Sequence, residues 1–191
     1  MSRVNDFDLQ PTLSGETLAL RPLEASDCEA LYAVARDPLV WEQHPEPTRH
    51  QRGVFEGFFA TALASRGALV VETRSSREVI GSSRYYELDA GARSVAIGYT
   101  FLARSHWGGA ANREMKRLML DHAFRWVDTA WFHVGAGNLR SRRAMEKLGA
   151  ELAFEGQREQ AGSRGDYVYY RIDAARWRQD SARDAIRPAE R

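Results

Sequence analysis

The chain has 191 residues, 43% hydrophobic and 28% charged, and its 27 Lys and Arg against 26 Asp and Glu leave a net charge of +1. That length suits one domain with a sizeable core rather than two. The balanced charge lacks the basic excess of a duplex-binding protein, so nucleic acid is not an expected partner. No apolar run approaches the ~18 residues of a membrane span, and Met1 to Asp8 carries no apolar signal core; no membrane contact and a cytoplasmic location are the expectations. The single cysteine, Cys28, excludes an intrachain disulfide and a cysteine-built zinc cage. It follows Ser26-Asp27 at a helix start and reads as a plain helix residue. The five histidines stand at no metal-ligand spacing, and no metal is expected.

Residues 1–16 read as a lead-in, residues 17–175 as the domain and 176–191 as a polar tail. Thr17 to Arg21 alternates like a strand and Pro22 ends it. Ser26-Asp27-Cys28-Glu29 has the form of a capping box, so a helix is predicted from there to about Arg36, stopped by Asp37-Pro38. Trp41 to Thr48 carries two prolines and reads as a loop. Val54, Phe55, Phe58, Phe59, Ala62 and Leu63 recur at helical spacing, and Gly67 is placed to close that helix. Strands follow at Ala68–Thr73, Glu78–Leu88 and Ser94–Leu102, the last two joined through Asp89-Ala90-Gly91. Met115, Leu118, Met119, His122, Ala123 and Trp126 form one helical stripe, with His122 read as a core histidine. Trp131–Gly135 is a short strand, Asn138 caps a helix to Leu148, and Gly149 sits where a left-handed residue belongs. Phe154–Arg158 and Tyr167–Ile172 read as a final strand pair around a Gln160–Gly165 loop, with a short helix near Trp177. The order gives an α/β (α+β) mixed sheet of six or seven strands flanked by about four helices.

Two segments carry chemistry. The first is the strand Tyr99-Thr100-Phe101-Leu102-Ala103, the turn Trp107-Gly108-Gly109-Ala110-Ala111-Asn112-Arg113, and the helix after it. A strand feeding a helix through small residues leaves several N–H groups aimed at one point, and the helix dipole adds positive charge there. That combination suits a pyrophosphate; the spacing alone equally describes a glycine-rich turn between a core strand and a core helix. The second segment is Asn138-Leu139-Arg140-Ser141 followed by Glu146-Lys147-Leu148-Gly149-Ala150, which puts Asn138 and Ser141 on one face of a helix's first turn.

Together these segments resemble the GNAT superfamily of acetyl-CoA-dependent N-acetyltransferases, over about residues 15–175 and nearest the branch that acetylates ribosomal-protein N-termini (alanine or serine). The resemblance implies a single GNAT-like domain with a mostly antiparallel sheet and splayed central strands, binding acetyl-CoA and releasing CoA. It implies that Phe101, Leu102 and Ala103 line the acyl-pantetheine arm, and that Trp107, Gly108, Gly109, Ala110, Ala111, Asn112 and Arg113 hold the pyrophosphate. Asn138 would meet a pantetheine amide, and Ser141 the departing sulfur as general acid or its relay. The chain departs from the family pattern at Ala110, where the family has Gly, and at Asn112, where it has Gly or Ala. It departs again at Met145, which stands at a frequent Tyr position and donates no proton, and at Ala96, at a frequent Glu position.

The implied reaction is attack of a neutral amine on a thioester carbonyl, which for a lysine-like amine needs desolvation or a base. With Ala96 in the base position, Glu87 is the candidate, with Asp89 and His133 also placed near it, although His133 alternates with Phe132 and Val134 as a structural residue would. The acceptor is a small-molecule amine or a protein N-terminus. Its cleft is expected from the two N-terminal helices, the Trp41–Thr48 loop and the Gln160–Gly165 loop, with Trp41, His44 and Arg49 as contacts. A homodimer is compatible with the family. Two other readings stay open: a non-catalytic acyl-CoA-binding module, motivated by Ala96, Ala110 and Met145, and a cofactor-free interaction adaptor.

Overall fold

The computed structural model describes residues 4–160 and 163–179. Its centre is an eight-stranded sheet in the order β1-β2-β3-β4-β5-β6-β8-β7. The strands are β1 (Leu13–Ser14), β2 (Leu18–Pro22), β3 (Ala68–Thr73), β4 (Val79–Asp89), β5 (Ser94–Leu102), β6 (Thr129–Gly135), β7 (Glu151–Gln160) and β8 (Ser163–Asp173). Every neighbouring pair is antiparallel except β5 and β6, which run parallel. The sheet thus has eight strands where six or seven were expected. The addition is β1, two residues pairing Leu13 with Leu20 and Ser14 with Ala19. Val4 and Phe7, upstream of it, are buried in the main core.

Among the described residues four α-helices of eight or more residues flank the sheet: α1 (Cys28–Ala35), α2 (Arg52–Ala64), α3 (Ala111–Ala123) and α4 (Leu139–Lys147). On α2, Phe55, Phe59 and Ala62 recur every three or four residues and bury one stripe. That stripe joins Leu31, Trp41, Val70 and Phe101 in one core. On α3, Met115, Met119 and Ala123 do the same on the opposite face, in a larger core with Ile97, Phe132 and Met145. Strand β3 lies between the two cores and is buried from Ala68 to Glu72; its first four residues, Ala68–Val71, read as a continuous apolar run because both faces are covered. Each fully buried Leu, Phe or Met contributes roughly 1.5–3 kcal/mol. The face of β6, β8 and β7 that carries Trp131, His133, Tyr169 and Phe154 belongs to neither core, and Phe154 is exposed.

Local departures have local causes. The α1 start is a 3-10 turn, Ala25–Asp27, whose capping box is Glu24 with Asp27 and not the Ser26 box. Burial alone would raise the Asp27 carboxyl, but Arg21, bonded at 2.9 and 2.7 Å, holds it below the usual range. Burial pushes the Cys28 thiol up, so the helix start does not activate it. After α2 the left-handed residue is Arg66 (φ 48°), one position before the expected Gly67. Asn138 caps α4 as expected, Oδ1 accepting from Ser141 N at 3.1 Å, and Gly149 (φ 83°) closes it. His122 is a core histidine, its Nε2 2.8 Å from the Asp8 carbonyl oxygen. The expected Gln160–Gly165 loop is strand on both sides, with Gln160 paired to Ser163; 161 and 162 lie outside the described residues. Residues 174–179 form a helical turn, and the tail from 180 on lies outside the described residues. No helix among the described residues is long and apolar enough to cross a membrane.

The feature that positions the site is the β5–β6 seam. Only Ser94–Ala96 pair with Thr129–Trp131. Beyond them β5 continues to Leu102 against β4 alone, and β6 to Gly135 against β8 alone. The two strands splay, leaving a backbone edge with no ladder partner. On the β4 side the register shifts between Ser82 and Arg84, so Tyr99 and Thr100 oppose Ser83. Tyr99 sits in the left-handed region at φ 52°, a strain of about 1 kcal/mol for a non-glycine residue.

Candidate active site

A cleft of about 640 Å³ opens in the splay. At one end lies the turn between β5 and α3. A 3-10 turn, Arg104–His106, leads into it, and α3 begins at Ala111 with no side-chain cap on its N-terminus. Gly108 takes φ 72°, which favours glycine. Gly109 has no such preference, and a Cβ on either residue would meet nothing within 4 Å. The turn is therefore open in front of the helix's unpaired N–H groups, as anion binding requires. Trp107 is fixed by its Nε1 donating to the Leu102 carbonyl at 2.9 Å. The Arg140 guanidinium stacks 3.9 Å from the Trp107 ring centre, and Arg140 N donates to Gln43 Oε1 at 3.0 Å, tying α4 to the turn and to the segment after α1.

Phe101, Leu102, Trp107, Gly108, Gly109, Asn112, Arg113, Asn138 and Ser141 all line this cleft, brought together from β5, the turn, α3 and α4. The side chains of Phe101 and Leu102 belong to opposite cores. Ala103, Ala110 and Ala111 stand beside the lining. Ala103 N bonds the Ile80 carbonyl, the Ala110 carbonyl accepts from Glu114 N, and Ala111 packs against the main core. Met145 lines the cleft and is buried.

Three side chains in the cleft have positions the sequence did not give: Tyr86 and Tyr99 carried no assigned role, and Lys116, read as a largely solvated flank of the phosphate turn, is buried. Lys116 of α3 is 3% exposed, and its Nζ donates to Thr100 Oγ1 at 2.7 Å and Ser83 Oγ at 3.3 Å. Burial pushes its ammonium down to about 7. The signal was present: Leu120 and Ala123, at i+4 and i+7, put Lys116 on an apolar stripe. Tyr86 of β4 reaches His133 of β6, Oη to Nδ1 at 2.9 Å. Tyr99, at the bulge, presents its ring to Arg84, 4.2 Å from ring centre to guanidinium carbon.

His133 lines both this cleft and a second hollow of about 520 Å³ on the uncovered sheet face, together with Glu87, Asp89, Trp131, Phe154, Arg158 and Tyr169. Burial, aided by the Arg158 charge, pushes the His133 imidazole down to about 4, so it is neutral at pH 7. Glu87 lies in this hollow, ion-paired with Arg158, its Oε2 3.9 Å from His133 Nδ1. Phe154 stacks on Tyr169 at 4.3 Å between ring centres. Of the expected acceptor contacts, Trp41 and His44 line the main cleft, and Arg49 lies buried behind them.

The site thus combines a strand splayed from its parallel neighbour with an open glycine turn at a helix N-terminus. A family model for the acetyltransferase (GNAT) domain matches residues 17–151. The chain belongs to that family. Among solved structures, a GCN5-related N-acetyltransferase from Brucella melitensis is 19% identical with a TM-score of 0.81, covering 92% of this chain and 85% of that one. A protein described as a putative acetyltransferase from T. thermophilus is 28% identical with a TM-score of 0.70, covering 90% and 94%. Mycobacterium smegmatis RimJ in complex with CoA-disulfide is 21% identical with a TM-score of 0.65, covering 91% and 94%. No curated protein matches the chain.

Proposed function

We propose that this protein transfers the acetyl group of acetyl-CoA to a primary amine, on a small molecule or a protein N-terminus, by direct attack within a ternary complex. The observation that carries the reading is the splay of β5 from β6 beside the open Gly108–Gly109 turn. The unpaired β5 edge can hydrogen-bond a pantetheine arm as an added strand would. The first-turn N–H groups of α3 can hold the pyrophosphate, and Arg113 stands beside them in the cleft. Asn138 spends its Oδ1 on the cap and offers its amide N–H to a pantetheine carbonyl.

The amine nitrogen attacks the thioester carbon, the C–S bond breaks, and CoA leaves as a thiolate to which Ser141 donates a hydrogen bond and relays a proton from water, regaining its own hydroxyl proton from that water. The amine's own proton goes to neutral His133, and Glu87, 3.9 Å behind it, steadies the resulting charge. Glu87, in the second hollow, thus acts through His133, which also lines the main cleft.

Isothermal titration with acetyl-CoA and with CoA, followed by thiol release against an amine and peptide panel, tests this. Micromolar binding with CoA release supports the reading. Binding with no release from any amine replaces it with a non-catalytic acyl-CoA module. No binding of either ligand replaces it with an interaction adaptor, since a ligand at a hundred times its Kd should add about 2.7 kcal/mol of stability.

A further inference from the structure

Two arginines behind the cleft's aromatic wall lack an anion. Arg84 of β4 is 6% exposed and Arg49 4%. Their guanidinium carbons lie 5.7 and 4.5 Å from the centre of the same Phe58 ring. Neither forms an ion pair among the described residues, and Glu46 acts on Arg49 only from a distance. Arg84 Nε and Nη2 are buried with no hydrogen-bond partner. Burial lowers both guanidinium pKa values, Arg49 to about 10. An unpaired buried charge typically costs several kcal/mol.

A second conflict adjoins them. His44 Nδ1 accepts from the Glu46 backbone N–H at 2.9 Å, which puts the proton of the neutral ring on Nε2. That Nε2 faces Arg49 Nη1 at 3.1 Å, so two donors confront each other with no acceptor between them. His44 and Trp41, which touch Arg49, and Tyr99, which touches Arg84, line the cleft, with Phe58 and the two arginines directly behind that lining.

The geometry points to a carboxylate subsite: we propose that Arg49, Arg84 and His44 Nε2–H together bind a carboxylate on the acceptor, so that the amine to be acetylated carries an acid group, as a free amino acid does. This rests on the acetyl-transfer reading of the cleft and narrows its acceptor. A planar guanidinium pairs a carboxylate through two parallel N–H···O bonds, which would satisfy the orphaned Arg84 atoms and place an acceptor for both donors at the His44–Arg49 contact. Trp41 and Tyr99, which line the cleft, would then pack on the rest of the molecule.

The test uses sets of three probes: an α-amino acid, its primary amide and its decarboxylated amine, over several side chains. Peptides beginning with Asp or Glu are compared with their Asn or Gln counterparts, so that an acid on a small molecule is told from one on a polypeptide. Binding is read by calorimetry in the presence of saturating CoA, and acetylation by thiol release. The acid member of each set should bind and react at least tenfold better than its partners. In Arg84→Met, and in Arg84→Lys should the first fail to fold, that preference should collapse. The ligand-free Tm of Arg84→Met should stay equal or rise, because an unpaired buried group is removed; a merely structural arginine predicts a fall. Equal binding across each set, or a preserved preference in Arg84→Met with a lower Tm, overturns the subsite. Turnover of carboxylate-free amines alone leaves acetyl transfer standing without the subsite. Carboxylate binding by a protein that ignores acetyl-CoA does the reverse.

Discussion

Tyr86 reaches over a neighbouring strand to His133. Its hydroxyl lies 2.9 Å from His133 Nδ1, yet Tyr86 is on β4 and His133 on β6, with β5 between them. The crossing works because the β5 residue beneath is Gly98, where a Cβ would sit 3.0 Å from Tyr86 Cε1 and 3.1 Å from its Oη. Gly98→Ala therefore pushes the ring away from the imidazole. Misplacement on the order of 1 Å costs up to about a hundredfold in rate, so kcat should fall ten- to a hundredfold with acetyl-CoA affinity nearly unchanged. A Gly98→Ala enzyme working at the full rate would take the Tyr86–His133 pair out of the reaction.

Ser141→Ala removes the hydroxyl offered to the departing thiolate while keeping the Asn138 cap, which uses only the Ser141 backbone N–H. Met145, nearby in the cleft, supplies no proton. Proton donation is typically worth about a hundredfold or more. Turnover should drop by roughly that factor while calorimetry gives the same acetyl-CoA Kd within a few-fold. Equal turnover in the two proteins would end the role assigned to Ser141.

The two glycines of the turn should respond oppositely. Gly109 has an ordinary φ and open space around its Cβ position, so Gly109→Val should leave Tm in place and weaken acetyl-CoA by at least about tenfold by blocking phosphate approach. Gly108 is held at φ 72°, so Gly108→Val should lose about 1–2 kcal/mol of stability as well. Thermal unfolding and calorimetry on the pair separate the effects; unchanged affinity in both would remove the turn from the binding site.

Lys116 gives a pH signature. Burial holds its ammonium near 7 against a usual 10.5. Between those values the unfolded chain binds a proton that the folded chain has released, so this residue's penalty is full below about pH 7 and fades as pH rises toward 10.5. Lys116→Met should therefore stabilise the protein by about 1–4 kcal/mol at pH 6 and by far less at pH 10. Urea unfolding at the two pH values checks this, and a pH-independent difference would contradict a buried amine.

Much of the fold was legible because its signals are local. The β5 limits, the Asn138 cap and the Gly149 turn each follow from a few adjacent residues. What was missed depends on distant partners. Strand β1 has two residues and exists because Leu13 finds Leu20, with Arg74 bonding the Gly15 carbonyl. The residues of β7 are mostly exposed, so no alternation marked its length. His133 alternates with Phe132 and Val134 as a core strand residue does, and sequence cannot say which face lacks a helix. Nothing in the sequence marks Arg84 within its strand; its isolation is visible only once Phe58 and Tyr99 close over it.

The shortness of the β5–β6 seam makes the sheet a lever. Ser94–Ala96 and Thr129–Trp131 act as a fulcrum between two plates, β1 to β5 on one side and β6, β8 and β7 on the other. At about 3.3 Å per residue, Leu102 lies about 20 Å from the last paired residue. A relative rotation of about 5° would then move the turn end by nearly 2 Å, while atoms beside Ala96 barely shift. The geometry therefore couples a small change at the narrow end to a large one in the width of the cleft at the turn.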